Sequence, residues 1–346
     1  MMKKILLTGL TVVACAVLAH SASAQTPAEF FHGKTITMLI AGDAGGGYDV
    51  YARAFARHMS KHIPGNPDII PKNQPAGFGL AAANTLYAKA DKDGLTMASF
   101  TNNVPMDPLF GNPAAHYDPL KMVWLGSIGK LQNVCATWHT SPVKTLKQAR
   151  EKEIFVGAAG ATSNTALMPR ISNELLGTKF KIVGGYNGAN DLTLSIEKGE
   201  VEGICGLSWS TMKASRPHWI RDHLLNVIVQ MGLDKLPDLP NVPSALDLVS
   251  DPVKKRVLEL ILIRQETGRP FALPPGVPQD RADALKAAFS ATLKDPEFVA
   301  EAKKLQLEID PLSGDQVTQL LTKAYGAPLA IVNRAAALLN LPGKKT

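Results

Sequence analysis

The chain reads as an α/β protein of two lobes, each a mostly parallel sheet flanked by helices, with a ligand cleft between them. Three observations predict this. Apolar runs of strand length alternate with helix-length runs, and the alternation occurs twice along the chain. Small loops rich in amide and hydroxyl groups recur after the strands of both halves, where open α/β sheets bind ligands. A helical tail follows with no sheet of its own, so it must bury its apolar faces on structure already formed.

Residues 1–24 read as a signal peptide. Lys3 and Lys4 precede an apolar stretch over residues 5–19, and Ala22, Ser23 and Ala24 follow as a small-residue cleavage site. The mature protein is therefore expected to begin at Gln25 and to be exported. Val12, Val13, Ala14 and Cys15 form a looser, lipoprotein-like box, but the apolar run continues past Cys15. No later segment reaches the roughly 18 uninterrupted apolar residues that a membrane span needs. The mature chain of about 320 residues exceeds what one hydrophobic core usually serves, which predicts two domains.

In the first half, strand-like runs at 35–41, 68–71 and 95–100 alternate with helix-like runs at 50–62 and 79–89. A strand at 123–126 leads into the second half. There, strands at 134–137, 154–158, 181–183, 201–205 and 227–230 are separated by helices at 146–150, 164–176, 189–198 and 211–221. After a strand-like Phe271-Ala272-Leu273 and a turn at Pro274-Pro275-Gly276, helices at 279–294, 296–306 and 314–339 close the chain. Pro328 should bend or break the last one. Packing this tail on the first sheet makes the chain cross between lobes twice. Lobe 1 is then residues 25–127 plus 265–346, lobe 2 is 128–264, and the crossings form a hinge.

With 45% hydrophobic and 19% charged residues, the composition is that of an ordinary globular protein. The net charge of +7 falls to +5 once Lys3 and Lys4 leave with the leader. Basic residues form only short clusters, such as Lys254-Lys255-Arg256, without interleaved aromatics to stack bases, so nucleic acid is not an expected partner. A mildly positive surface does favour acidic solutes. Cys135 and Cys205 remain after the leader, in an exported chain where a disulfide can persist; flanked by apolar strand residues, they read in preference as two buried small hydrophobes.

The most informative loop is Gly45-Gly46-Gly47, where the first strand turns into the first long helix. Such a junction lets a ligand approach the backbone with no side chain in the way, at the positive end of the helix dipole. The loop is not a P-loop, because Tyr48 and Asp49 follow the last glycine where Lys-Ser/Thr would be needed. The spacing of Gly42, Gly45, Gly46 and Gly47 is not a dinucleotide fingerprint, and Asp49 would repel a pyrophosphate. A carboxylate fits better. The competing reading is a tight turn with Asp49 as a helix cap.

Other loops share this chemistry. Thr101 and Asn102 follow the third strand. In the second half come Ala161, Thr162, Ser163 and Asn164 before a helix, then Tyr186 and Asn187, then Ser208 and Trp209. Catalytic patterns fare worse. Ser208 lacks the closing glycine of G-x-S-x-G and no His stands in a neighbouring loop, so no catalytic residue is expected. His58 and His62 have metal-ligand spacing, yet Met59 stands where H-E-x-x-H needs Glu; they read as a solvated helix end, with neither metal nor cofactor.

These residues resemble the periplasmic solute-binding receptors of tripartite tricarboxylate transporters, the Bug receptors. The resemblance is carried by Ala44-Gly45-Gly46-Gly47-Tyr48-Asp49-Val50-Tyr51-Ala52-Arg53, then by Asn73-Gln74-Pro75-Ala76-Gly77-Phe78-Gly79 and by Asp91-Lys92-Asp93-Gly94-Leu95-Thr96. It continues through Leu236-Pro237-Asp238-Leu239-Pro240 and Pro274-Pro275-Gly276-Val277-Pro278. Asp43 departs from it, standing where the family usually has an apolar or small residue, and Ala76 replaces a glycine. The resemblance implies a type II-like, two-lobed periplasmic binding protein, not an enzyme, that closes on a small carboxylate and delivers it to a permease of one large and one small membrane subunit. It implies a lobe 1 site of Gly45, Gly46, Gly47, Tyr48, Asp49, Thr101 and Asn102. The lobe 2 site would be Ala161, Thr162, Ser163, Asn164, Tyr186, Asn187, Ser208 and Trp209. Tyr48, Tyr186 and Trp209 together favour a carboxylate with an aromatic or apolar body, unless these rings pack between loop and helix. The protein is expected to act as a monomer. A periplasmic sensor handing its closed form to a signalling partner, or an enzyme acting on a carboxylate, are the other classes compatible with such lobes.

Overall fold

The computed structural model describes residues 25–161 and 163–343; the leader and its cleavage site lie outside the described residues. The chain opens with α1 (Pro27–Phe31) and builds β1 (Thr35–Ile40), α2 (Gly47–Met59), β2 (Asp68–Asn73), α3 (Leu80–Lys89), β3 (Thr96–Ser99) and β4 (Val123–Ser127). It crosses over for β5 (Asn133–Trp138), α4 (Leu146–Glu151), β6 (Ile154–Gly157), α5 (Asn164–Leu176), β7 (Phe180–Val183) and α6 (Ala189–Glu197). The second lobe continues with β8 (Gly203–Ser208), α7 (Trp209–Ser215), α8 (Pro217–Arg221) and β9 (Leu225–Met231), followed by α9 (Ala245–Leu248) and α10 (Pro252–Leu262). The chain then returns for β10 (Pro270–Leu273), α11 (Gln279–Thr292), α12 (Pro296–Lys304), β11 (Leu312–Ser313), α13 (Gly314–Tyr325) and α14 (Leu329–Leu338).

The first sheet has the order β11-β4-β10-β3-β1-β2 and the second β7-β6-β8-β5-β9. Two lobes of α/β type are present, but the sheets are mixed rather than mostly parallel. β1 runs parallel to β2 and β3, while β10 is antiparallel to β3 and β4. β6 runs parallel to β7 and β8, while β5 is antiparallel to β8 and β9. The reason lies in the crossings. Parallel neighbours need a crossover helix to bring the chain back to the same end, and β5 and β10 are each entered from the opposite lobe. Pro71 sits inside β2, which the sheet tolerates because β2 is its outer strand.

The apolar stripe of α2, Tyr51, Phe55 and Met59, faces the first sheet at helical spacing. Phe55 meets Phe271 of β10 at 5.1 Å, Phe289 of α11 at 4.9 Å and Phe298 of α12 at 5.6 Å between ring centroids. This cluster explains why the tail helices return to the first lobe. α11 and α13 pack on β4 and α12 on α2, as expected. α14 does not. The chain breaks at Gly326, Ala327 and Pro328, and α14 turns away to pack on α10 and α5 of the second lobe. α10 is not among the helices read from the sequence, although Asp251 caps it and Pro252 opens it.

Two sequence-based expectations are corrected here. Cys135 and Cys205 stand opposite each other in the β5–β8 ladder and are joined by a disulfide; they are not free small hydrophobes. Their burial was read correctly, but not their pairing, because register across a sheet is not visible in either strand alone. His58 and His62 do not end in solvent. His58 bonds Glu301 of α12 at 2.6 Å and His62 bonds Asp295 at 2.8 Å, beside Lys61, which pairs with Asp295 at 2.7 Å. Arg57 completes the seam by pairing with Glu301.

Asp295 is the centre of that seam. It caps α12 by accepting from the Glu297 N–H at 2.9 Å, and Lys61 and His62 hold its carboxyl well below the usual carboxylate range. A carboxyl depressed in the folded state contributes stability that is present above its unfolded value and is lost as pH falls through the folded one. Asp295→Asn keeps a capping oxygen and removes the charge. The variant should melt below the wild type at pH 7, and the two melting curves should converge as pH drops from about 5 to about 2. Thermal melts across that range test this; a constant gap would assign the loss to capping or packing instead.

Candidate ligand-binding cleft

The β1–α2 loop is shaped by glycine. Gly45 has φ +74°, and a side chain at Gly42 would strike Tyr48 Cβ at 2.6 Å. Gly46 is the N-cap, so α2 begins at Gly47, three residues earlier than the sequence pattern suggests. Asp49 fastens this loop. Its Oδ2 accepts from the Gly45 N–H at 2.9 Å, and its Oδ1 accepts from Arg53 Nε at 2.7 Å and Asn73 Nδ2 at 2.8 Å. Asn73, at the end of β2, also donates to the Gly42 carbonyl at 2.9 Å. Asp49 is thus buried and fully engaged within its own lobe, where it orients the loop.

A cavity of about 110 Å³ lies between the lobes. Lobe 1 lines it with Gly46, Gly47, Tyr48 and Thr101, and lobe 2 with Ser163, Asn164 and Ser208. The structure brings these seven sequence-predicted residues together. α2, α5 and α6 all start at the cavity, so their unpaired N–H groups and positive dipole ends converge on it. Ser163 caps α5 and Ser208 caps α7, each accepting from a backbone amide three residues on. Ala41, Pro75, Phe78, Leu131, Leu192 and Leu207 form apolar walls.

The remaining sequence-predicted residues lie elsewhere. Gly45 and Asp49 shape the loop from behind. Asn102 is fully buried and joins the lobes from one side of the cavity: Tyr48 donates its hydroxyl to Asn102 Oδ1 at 3.1 Å, and Asn164 Nδ2 donates to the same oxygen at 3.2 Å. Burial raises the Tyr48 hydroxyl above its ordinary range, against the pull of its bond to the Asn102 amide and of the Arg269 and Arg264 guanidiniums, so it remains a donor at neutral pH. Ala161 and Asn187 are exposed, and Thr162 lies outside the described residues. Tyr186 packs towards Leu192 and Gly157 in the lobe 2 core. Trp209 is not a cleft ring. Its indole is buried in the lobe 2 core and donates Nε1–H to Asp238 at 2.9 Å, because it is the first residue of α7 and points away from the cap.

Sequence reasoning missed Asn133, Thr211 and Arg269, which also line the cavity. Asn133 and Arg269 flank the two crossings, and no strand-end rule points there. Several buried polar atoms find no protein partner: Asn102 Nδ2, Asn133 Nδ2, Asn164 Oδ1 and Arg269 Nε. Beyond the cavity, the Asn190 amide donates to the Gly45 carbonyl at 3.2 Å, and Lys213 of α7 pairs both with Asp238 of its own lobe and with Glu308 of the other.

No protein-family model matches the chain. Among curated proteins it is 26% identical over 217 residues to the UPF0065 protein in the TAR-I ttuE-ttuC′ intergenic region of Agrobacterium vitis, a match covering 60% of each chain. It is 22% identical over 336 residues to the UPF0065 protein in the gbd 5′ region of Cupriavidus necator, covering 94% of this chain and 95% of that one. Among solved structures it is similar to the periplasmic binding protein BugD, with TM-score 0.67 and 18% identity over 89% of this chain and 97% of that one. It is similar to R. palustris Rpa4515 with adipate, with TM-score 0.68 and 18% identity over 89% and 98%. It is also similar to MatC from Rhodopseudomonas palustris with bound malate, with TM-score 0.65 and 19% identity over 88% and 99%. The fold is that of two-lobed periplasmic binding proteins, and the resemblance read from the sequence motifs agrees with these neighbours.

Gly47 offers a test of the cleft geometry without any ligand. A Cβ there would stand 3.1 Å from Thr211 Oγ1 of the opposing lobe, while its helical backbone accepts any residue. Gly47→Val should keep the wild-type thermal midpoint but hold the lobes apart, giving a larger radius of gyration in solution scattering. An unchanged radius would mean that the lobes do not meet at this point in solution.

Proposed function

We propose that this chain is a periplasmic solute-binding receptor of the Bug type, which closes its two lobes on a small carboxylate and presents it to a tripartite tricarboxylate-type permease of one large and one small membrane subunit. The observation that carries this reading is the interlobe cavity on which three helix N-termini converge. Backbone N–H groups at such ends favour anions without a fixed counter-charge, and a site built from both lobes couples binding to closure. Gly46, Gly47, Tyr48 and Thr101 would hold the ligand from lobe 1, and Ser163, Asn164 and Ser208 from lobe 2. Gly45, Asp49 and Asn102 would support them. The solved neighbours that hold adipate and malate lend support from the same fold.

The reading is of a binding protein, not an enzyme. The hydroxyls at the cavity act as helix caps: Ser208 bonds Thr211 and Ser163 bonds Thr165, which itself accepts from the Ala159 amide. Lobes 1 and 2 would be residues 25–127 with 265–346 and residues 128–264, acting as one monomer with the leader removed.

A thermal-shift screen over dicarboxylates, tricarboxylates and aromatic acids tests the proposal. A ligand bound only by the folded state at about 100 times its Kd should add about 2.7 kcal/mol of stability. The cognate acid should also shrink the radius of gyration and be recovered unchanged after incubation. Absence of any stabilisation across the panel would overturn the receptor reading, and conversion of the acid would overturn the non-enzymatic one.

A further inference from the structure

Resting on that reading, we propose that Arg269 is the counter-charge for one ligand carboxylate, and that the cavity therefore selects acids with a single carboxylate and an apolar body over dicarboxylates. Arg269 stands immediately before β10, at the end of the second crossing, is 1% exposed and lines the cavity. Its guanidinium stacks on the Tyr51 ring at 3.6 Å. Its protein hydrogen bonds are long: Nη1 donates to the Lys130 carbonyl at 3.3 Å and Nη2 to Ser210 Oγ at 3.4 Å. Nε has no partner, and among the described residues Arg269 enters no ion pair. A buried cation without a counter-ion carries an uncompensated desolvation cost, and an arriving carboxylate relieves it through charge-assisted bonds.

The rest of the lining decides how many negative charges the cavity accepts. Among the described residues, only two charged ones line it, Arg269 and Asp43. Asp43 reaches across to lobe 2, where its Oδ2 lies 2.7 Å from the position a Gly188 Cβ would take. Once one carboxylate has engaged Arg269, a second finds no further cation in the cavity and meets the Asp43 charge there. Asn133 Nδ2 is an unpartnered donor for the first carboxylate, and Asn164 Oδ1, an acceptor, can take a hydrogen bond from a water bridging to it. The walls of Pro75, Phe78, Leu131 and Leu192 suit an uncharged body. The solved neighbours with adipate and malate hold dicarboxylates, so this chain would differ from them in ligand class on the same fold.

Calorimetric titration of the purified protein with hexanoate, phenylacetate, adipate and malate tests the assignment. The monocarboxylates should bind about tenfold or more tightly than adipate or malate. Arg269→Met should weaken hexanoate by about tenfold or more, and Arg269→Lys by less. Asp43→Asn should gain about fivefold for adipate, and more for adipate than for hexanoate. Unliganded melting of each variant reports folding; should Arg269→Met not fold, the ligand ranking and Asp43→Asn still decide. Tighter binding of a dicarboxylate by the wild type, or unchanged hexanoate affinity in a folded Arg269→Met, overturns this assignment and leaves the receptor reading standing. Failure of the whole carboxylate panel overturns the receptor reading, and this assignment with it.

Discussion

Asp49 sits in the first turn of α2 with three donors on its two oxygens, from Gly45, Arg53 and Asn73. Those three partners belong to the glycine loop, the next turn of the helix and the end of the neighbouring strand. One carboxylate therefore ties β1, α2 and β2 together at the glycine loop. The consequence is positional. With the loop fastened from behind, Gly46 and Gly47 present bare backbone forward, and Tyr48 is directed onto Asn102 and, through it, to Asn164 of the other lobe. The Asp49 charge is thereby spent inward, and what the loop's Gly46, Gly47 and Tyr48 present to the cavity is backbone amide and hydroxyl.

The two crossings impose a second constraint. β10 is inserted between β3 and β4, so the first sheet closes only after the second lobe has been made. Its first contacts include the phenylalanine cluster around Phe55, and the residue just before it, Arg269, stacks on Tyr51 of the same helix. α14 adds a bridge by leaving the first sheet for α10 and α5. The apolar core that begins at Leu39 and Phe100 consequently continues through α14 and α10 to Leu167 and Ile171 of α5. Elsewhere the lobes also meet through polar groups, the Asn190 amide on the Gly45 carbonyl and Lys213 on Glu308.

Much of this was legible in the sequence because it depends on local pattern. Strands and helices of both lobes follow from apolar period and from caps such as Ser163 and Ser208, and the break at Pro328 follows from a missing N–H and a ring clash. The glycine loop was legible because three consecutive glycines have few other uses. What stayed hidden depends on relations across the fold. The Cys135–Cys205 disulfide needs the register of β5 against β8. The antiparallel direction of β5 and β10 needs knowledge of where a crossing enters the sheet. Trp209 stood in the right loop, but a residue at the first position of a helix points by the helix's rotation, and here that rotation sends the indole to Asp238. Arg269 was invisible for a different reason: it stands just before the start of β10, not at a strand's carboxyl end, and in no motif, and only the meeting of both crossings brings it to the cavity.

Lys213 gives the hinge an electrical character. This one ammonium holds a carboxylate from each lobe, Asp238 and Glu308, at a partly exposed position. Opening the lobes must separate it from one of them, and that attraction weakens as mobile ions fill the surroundings, with a screening length of about 10 Å at 0.1 M salt. The balance between closed and open lobes would then shift with ionic strength, so that salt acts on the conformational equilibrium with no change in the cavity itself.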